Sequence, residues 1–571
     1  MSEDAKTHCL FCSLCCPVNL CSALGERFWV EYETPEAPGV TQGLCGRGNA
    51  LVDLEAQPNR LSGGVKQTAA GMTRLGATEA IDAFAEIMDE AMSRGPVALL
   101  ADGNLPCEDL LAIRRWAEAQ DGRVTLAVSL PPPDMDLLDG LSASGAPLLN
   151  LDDLASCDAV LIVGNAFATH PVLARRLLDK KFDSPRQPLA VMDARRSVTS
   201  RFATTLLEVA PDGQEKALEQ LRAALDVSIS LEPSPAIEKL AGLTKAPKAA
   251  VERLVKQLQS ARRLAVVITP ELTLSADWRG VAGAADKLAR KKNGGILPLF
   301  CYGNAVGAYR ILRNLGLKRV EQLLKPSGGE RWSAFVQVGC DIGRTFPEPL
   351  LKSVRGDATR QVLFSPVRTP AVERSDLAVG ILMPAEYSGT ILDGCGLEKR
   401  LDGSRLRSNA ALGIREFFLT LLGEGFAEED AAAWRTQPEA AEAPVARMGV
   451  PGNSDLNLLA TVSPIHFDDG ALTRRTSWTA YWESEPRVCV SEAVARGLGI
   501  RSGERVHLAR NGRSLNCLCK IDPSLEDRLA IVSGAFPEVR RFLAWEWDRS
   551  GRRILCPPAG VTVKATQGAK E

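Results

Sequence analysis

Cys9-Leu10-Phe11-Cys12-Ser13-Leu14-Cys15-Cys16, answered further along by Cys45-Gly46-Arg47-Gly48, is the stretch from which the rest of the chain is read. Three thiols in one tight loop and a fourth returning later can hold the four corners of an iron–sulfur cubane. Cys9, Cys12, Cys16 and Cys45 are the expected ligands of a [4Fe–4S] cluster. Cys16 is preferred, but Cys9-x2-Cys12-x2-Cys15 is an open alternative, and Cys21 is a sixth thiol nearby. Structural zinc would favour two paired thiol knuckles, and Cys45 has no close partner. A disulfide framework suits small secreted chains, whereas this one is long and opens on the acidic Met1-Ser2-Glu3-Asp4 with no signal peptide. Arg47, flanked by glycines directly after Cys45, places a positive group between the cluster and something deeper in the protein.

With 571 residues, the chain is expected to hold three or four domains. Its 45% hydrophobic and 24% charged residues are ordinary for a globular protein, and a net charge of −2 gives no sign of nucleic-acid or broad membrane binding. No apolar run reaches the 18 or so residues of a membrane span, so the cytoplasm is the expected location. Fifteen cysteines, six of them before residue 46, fit a reducing compartment with a metal cluster. Only His8, His170, His466 and His507 are present, which argues against a multi-histidine metal site.

Beyond the cysteines, short apolar runs alternate with helical patterns. Helices are expected over 50–56, over 78–93 with Thr78 as N-cap, and over 107–119. Buried strands are expected at 97–100, 124–128, 159–163, 189–192, 264–268, 296–300, 335–338 and 361–364. Strands alternating with helices predict parallel sheets covered on both faces, here as two Rossmann-like units. No G-x-G-x-x-G fingerprint or phosphate loop occurs, so ordinary NAD, FAD or ATP use is unsupported. Gly164 and Asp193 close strands where a backbone can approach a phosphate and a carboxylate can accept from a ribose or base, though both residue types are common in any βα turn. Residues 424–456, rich in Ala, Glu, Pro and Gly, read as a linker. From about Leu458 the chain is β-rich, with a hairpin signal at Asn511-Gly512, and predicts a small closing β-barrel.

In this order the pieces resemble the molybdopterin oxidoreductases of the dimethyl sulfoxide reductase superfamily. The opening cysteines with Arg47 are similar to that family's cluster domain. Ile162-Val163-Gly164-Asn165-Ala166-Phe167-Ala168-Thr169-His170-Pro171 is similar to its pterin-dinucleotide loop. Asp193-Ala194-Arg195-Arg196-Ser197-Val198-Thr199 resembles its D-P-R-x-T-x-T turn, with Ala194 in place of proline, and Pro211-Asp212-Gly213 resembles the segment after it. Ser375-Asp376-Leu377-Ala378 with Leu382-Met383-Pro384, Glu386 and Gly389-Thr390 follows, and Arg474-Arg475-Thr476-Ser477-Trp478 resembles part of the C-terminal pterin-binding barrel. The resemblance implies two pyranopterin guanine dinucleotides around one molybdenum or tungsten, contacted by Gly164, Asn165, His170, Asp193, Arg195, Thr199, Asp212, Arg475 and Thr476. It also implies that Arg47 relays electrons between cluster and pterin. The domains expected on this basis are a cluster unit 1–66, a Rossmann-like unit 67–235 whose sheet 360–423 could complete, a second such unit 236–359, the linker 424–456, and a pterin-binding barrel 457–571.

The departure lies where the family's metal ligand is expected, after the second Rossmann-like strand. That stretch reads Val128-Ser129-Leu130-Pro131-Pro132-Pro133-Asp134-Met135-Asp136, with no Cys and no neighbouring His. Asp134 is left as ligand, or Ser129 in a shifted register; helix capping is the plain role for Asp134. Cys107 opens the preceding helix. Two readings therefore stand: a molybdenum or tungsten oxidoreductase acting on a small substrate, or a metal-free relative that carries electrons or scaffolds a larger redox complex. Subunits of NADH:quinone oxidoreductase and of complexes similar to formylmethanofuran dehydrogenase are examples of the second. Either implies a redox partner subunit or a soluble electron carrier, since no second ferredoxin-like cysteine set is present.

Overall fold

The computed structural model describes residues 2–23, 27–31, 43–55, 57–183, 187–226, 234–271, 277–326, 331–403, 411–423, 431–439, 456–548, 551 and 553–565. Its architecture follows from the continuous apolar runs. Five-residue stretches such as Ala159–Val163 and Leu264–Ile268 are buried along their whole length. That pattern is stable only in a sheet covered on both faces.

Two such sheets form. The smaller has five parallel strands in the order Thr205–Glu208, Leu189–Asp193, Ala159–Val163, Leu264–Ile268, Gly295–Pro298. The larger has eight, in the order Lys318–Arg319, Val124–Ser129, Val97–Asp102, Ala334–Val338, Arg360–Ser365, Leu377–Gly380, Gly64–Thr68, Gly71–Leu75. Its first six strands run parallel, and the last two are an antiparallel hairpin on the edge. Arg360–Ser365 and Leu377–Gly380 join the sheet of Val97–Asp102, the completion expected from 360–423. Strand 64–68 belongs to the large sheet, the small sheet is built from residues 159–298, and the large sheet takes strands from both sides of it. Pairing of Val97–Asp102 with Ala334–Val338 across that insertion is a tertiary choice that local pattern does not carry.

The helix expected over 78–93 runs Ala77–Arg94, with Gly76 rather than Thr78 as N-cap; Glu79 Oε2 accepts the Gly76 N–H at 2.7 Å. The expected helix 50–56 begins earlier, as Gly46–Asn49 and Leu51–Glu55. At the N-terminus, Ser2–His8, Pro17–Ala23 and Arg27–Glu31 form a three-stranded antiparallel sheet with the cysteine loop at one end. Of the expected linker, residues 431–439 are described and are anchored: Trp434 is buried, and its carbonyl accepts from Arg310 at 3.1 Å. The remainder of 424–456, apart from Leu456, lies outside the described residues.

The C-terminal part is a seven-stranded mixed sheet. Ala559–Gly560 pairs with Asn457–Leu458 on one edge, and Thr562–Ala565 pairs with Val506–Ala509 on the other, so one short segment holds both edges. Asn511 and Gly512 turn the hairpin between Arg505–Arg510 and Arg513–Ile521 with φ of 46° and 74°, both in the left-handed region this tight turn requires.

Candidate functional site

In a doubly wound sheet, ligands bind beyond the carboxyl ends of the strands, where the strand order reverses and adjacent loops part. In the large sheet that point falls between Val97–Asp102 and Ala334–Val338. The residues that follow them, Asn104, Gly339, Cys340 and Asp341, line a cavity of about 930 Å³ together with Asp102. In the small sheet it falls between Ala159–Val163 and Leu264–Ile268. Pro270 and Glu271, just beyond the second of these, line an adjoining cavity of about 820 Å³. The two cavities share Ser129, Tyr302, Ile342, Thr345 and Asp468. They form one cleft between the carboxyl ends of both sheets, roofed by Asp468, Gly534 and Arg540 of the C-terminal part.

Arg47 reaches this cleft from the N-terminal unit. It is 1% exposed and lines the smaller cavity, one guanidinium N–H donates to the Thr169 carbonyl, and Nε has no partner. Burial works against its charge, yet Cys45 and Cys12 hold its pKa above the ordinary value. The same side chain therefore faces the cysteine nest at one end and the cleft at the other.

Cys9, Cys12 and Cys16 are buried and Cys45 half-buried. Burial pushes the Cys12 thiol up to about 11, with Arg47 opposing, and pushes Cys9 up further, with Cys45 and Cys12 adding to it. Unmetallated, these groups stay protonated; a cluster that takes them as thiolates would remove that penalty. Cys15 is set apart. Its backbone is left-handed at φ 45°, and its Sγ donates to the Gly303 carbonyl at 3.2 Å. The ring carbons of Trp478 close over the loop, and a Cβ on Gly46 would stand 2.1 Å from Cη2 of that indole. No group of three His, Cys, Asp or Glu among the described residues converges on a single ion; cubane ligands surround a cluster rather than a point.

Of the residues expected at the dinucleotide, Asn165, Thr199 and, through Thr169, His170 form a connected network. Asn165 Oδ1 accepts from Thr199 Oγ1 at 2.9 Å, and Thr199 Oγ1 accepts from Phe167 N at 2.9 Å. His170 is held by Thr169 Oγ1 at 2.8 Å and the Phe300 carbonyl at 3.0 Å, and burial lowers its pKa to about 3, so it is neutral. Gly164, at φ 97°, is required by Thr269: a Cβ there would lie 2.4 Å from the Thr269 carbonyl oxygen. Asp193, 1% exposed, keeps Oδ2 without a partner, an open acceptor fit for a donor edge of a base or ribose. Arg195 is committed elsewhere. It makes a two-pronged pair with Glu271 at 3.2 and 3.1 Å, and that pair, against the cost of burial, raises its pKa. Arg475 donates to the carbonyls of Ala471 and Arg368, and Thr476 Oγ1 to that of Thr473, so both brace the fold beside the cleft. Asp212 is exposed and outside the cleft lining.

Asp134 does not cap its helix. It sits in the first turn of Pro132–Ser144, 1% exposed and lining the smaller cavity, and its Oδ2 accepts the N–H of Cys301 at 2.9 Å. Burial raises its pKa to about 7 against that hydrogen bond. Sequence reading passed over Glu271, Cys301, Asp468 and Arg540. The signal for the first two was their place just beyond apolar strands. Asp468 and Arg540, paired at 2.8 Å, carried none.

No protein-family model matches the sequence. One 210-residue stretch, 36% of the chain, is 22% identical to the F420-dependent formate dehydrogenase subunit alpha of Methanocaldococcus jannaschii. One of 215 residues, also 36% of the chain, is 28% identical to the nitrate reductase of Klebsiella oxytoca. The chain spans only 30% and 24% of those proteins. The fold matches acetylene hydratase from Pelobacter acetylenicus with a TM-score of 0.73 at 11% identity, over 98% of this chain and 100% of the other. The two partial sequence matches support the resemblance to the molybdopterin oxidoreductases, and the structural match at 11% identity speaks for the fold alone. No helix among the described residues is long and apolar enough to cross a membrane.

Proposed function

We propose that the protein is a redox protein holding a [4Fe–4S] cluster on Cys9, Cys12, Cys16 and Cys45, with a molybdenum or tungsten bis-pterin guanine dinucleotide in the cleft. The bound pterin metal supplies two-electron chemistry on a small substrate; the cluster passes electrons singly to a partner subunit or soluble carrier. The observation that carries this reading is Arg47, buried with the cysteine nest on one side and the cleft on the other. The open Asp193 Oδ2 and Arg47 Nε suit groups that the protein alone does not satisfy. Fifteen cysteines in a chain of this length suit a reducing, cytoplasmic setting.

A second reading, a molybdenum- and tungsten-free electron-transfer or scaffold subunit, draws on one observation. Arg195 is neutralised by Glu271 instead of standing free for a phosphate.

A redox titration of Arg47→Ala, followed by the paramagnetic signal of the reduced cluster, tests the relay. A unit charge about 6–8 Å from a redox centre, at an effective dielectric of about 20, interacts by about 2–3 kcal/mol, on the order of 100 mV for one electron. The cluster potential is expected to fall by that order with iron content unchanged. A potential within about 20 mV of wild type, on the same scale, contradicts the placement of Arg47 beside the cluster.

A further inference from the structure

The loop 129–136 offers no thiol, but the cleft does. Cys301 follows the edge strand Gly295–Pro298 of the small sheet, and no other cysteine of the described residues lines the cavity that Arg47 reaches. Its backbone N–H is fixed on Asp134 Oδ2 at 2.9 Å, which binds the carboxyl end of one sheet to that of the other. Asp468 and Arg540 of the C-terminal part complete the wall. Four separate parts of the chain thus meet at the cavity that Cys301 lines. Arg47, 1% exposed, brings an unpartnered Nε to the same space.

The remaining thiols near the strand ends are placed otherwise. Cys107 is buried against Asn304, and Cys340 lines the larger cavity with Asp102 and Asp341. Cys301 with Asp134 is too few donors to hold an ion unaided, in keeping with the absence of any three-donor group among the described residues. A metal carried in by a chelating cofactor needs only one protein donor, and a soft thiolate suits such a metal better than a carboxylate.

We propose that Cys301 is the protein ligand to the metal of the bound pterin cofactor, supplied from the second sheet in place of the side chain that loop 129–136 lacks. This inference rests on the function proposed above. Coordination would replace the S–H bond by a metal–sulfur bond with no change of oxidation state, the proton leaving to solvent. Asp134 then acts as a positioning residue for Cys301 rather than as the ligand.

The test is metal analysis followed by X-ray absorption at the molybdenum or tungsten edge, on anaerobically purified wild type, Cys301→Ser and Asp134→Asn. Wild type is expected to show one more sulfur in the metal's shell than Cys301→Ser, and Asp134→Asn the same number as wild type. Equal sulfur counts in wild type and Cys301→Ser, with metal present in both, overturn the ligand assignment and leave the proposed function standing. If Cys301→Ser retains no metal, alkylation of the wild type decides: a Cys301 that iodoacetamide labels in metal-free protein and spares in loaded protein supports ligation, and equal labelling overturns it. A wild type containing neither metal, from a host that loads a control enzyme of this superfamily, overturns the proposed function and the ligand together.

Discussion

Gly46 separates Cys45 from Arg47, and its replacement by alanine tests how the C-terminal part holds the cysteine loop. A Cβ at Gly46 would lie 2.1 Å from Trp478 Cη2, with Cζ2 and Cζ3 at 3.0 and 3.1 Å. The indole must retreat by about 1.3 Å to restore an ordinary contact of 3.4 Å. Overpacking of this kind costs about 1–3 kcal/mol. For a unfolding unit of 150–250 residues each kcal/mol lowers Tm by about 2–4 °C. Gly46→Ala is therefore expected to melt earlier and, because the strain falls between Cys45 and Arg47, to be purified with less iron. Trp478→Ala removes the obstacle, so in its background Gly46→Ala should cost at least 1 kcal/mol less, a coupling of the size found for residues in contact. Thermal unfolding of the four proteins of this cycle, with iron determined in each, is the assay. Additive effects, or a Gly46→Ala protein with full iron and wild-type Tm, would refute the packing of Trp478 on the loop.

Three further outcomes are expected. Cys45→Ser and Cys16→Ser should each lose the cluster or convert it to a three-iron form, whereas Cys15→Ser should retain four irons, because its Sγ is engaged by the Gly303 carbonyl; iron analysis with the reduced-state spectrum decides this. Asp139 is buried and gripped by Arg313, by Arg319 at 2.5 Å and by the Tyr309 hydroxyl at 3.0 Å. Asp139→Asn should cost about 3–5 kcal/mol at pH 7 in denaturant unfolding, by stranding those cations. Burial opposes the Asp139 charge, but Arg319 and Arg313 outweigh it and hold its pKa below 3.8. Its contribution is thus present above the ordinary carboxylate range and disappears as pH falls through the lowered value, so the variant should show a flatter loss of stability in acid. Glu271→Ala should destabilise the metal-free protein by up to about 3–5 kcal/mol, again read in denaturant, by removing the two-pronged partner of buried Arg195 and leaving it only Asp193 at 3.7 Å.

Much of the fold was legible because burial on both faces forces unbroken apolar runs. Ala159–Val163 and Leu264–Ile268 appear at their expected limits, and most other strands within one or two residues. The division between sheets was not legible. Val97–Asp102 pairs with Ala334–Val338 across more than two hundred residues, and nothing in either run names its neighbour. Gly76 escaped as an N-cap because it offers no side-chain oxygen; the bond that closes the turn comes from Glu79. At the site, the clustering of the cysteines and the place of Arg47 beside Cys45 stand in the sequence itself. Arg195 was readable, but its partner Glu271 was not, since salt-bridge partners from different strand ends leave no local pattern. Cys301 and Asp134 meet only because two sheets turn their carboxyl ends toward each other, which spacing along the chain does not express.

The most direct test of the central claim is cofactor analysis of anaerobically purified protein: iron, zinc, molybdenum and tungsten, with released guanine nucleotide. The account predicts about four irons, one molybdenum or tungsten and two nucleotides per chain, the stoichiometry of one cubane and one bis-dinucleotide centre. Four irons with neither heavy metal nor nucleotide, from a host that loads a control enzyme of this superfamily, would contradict it and favour the electron-transfer subunit.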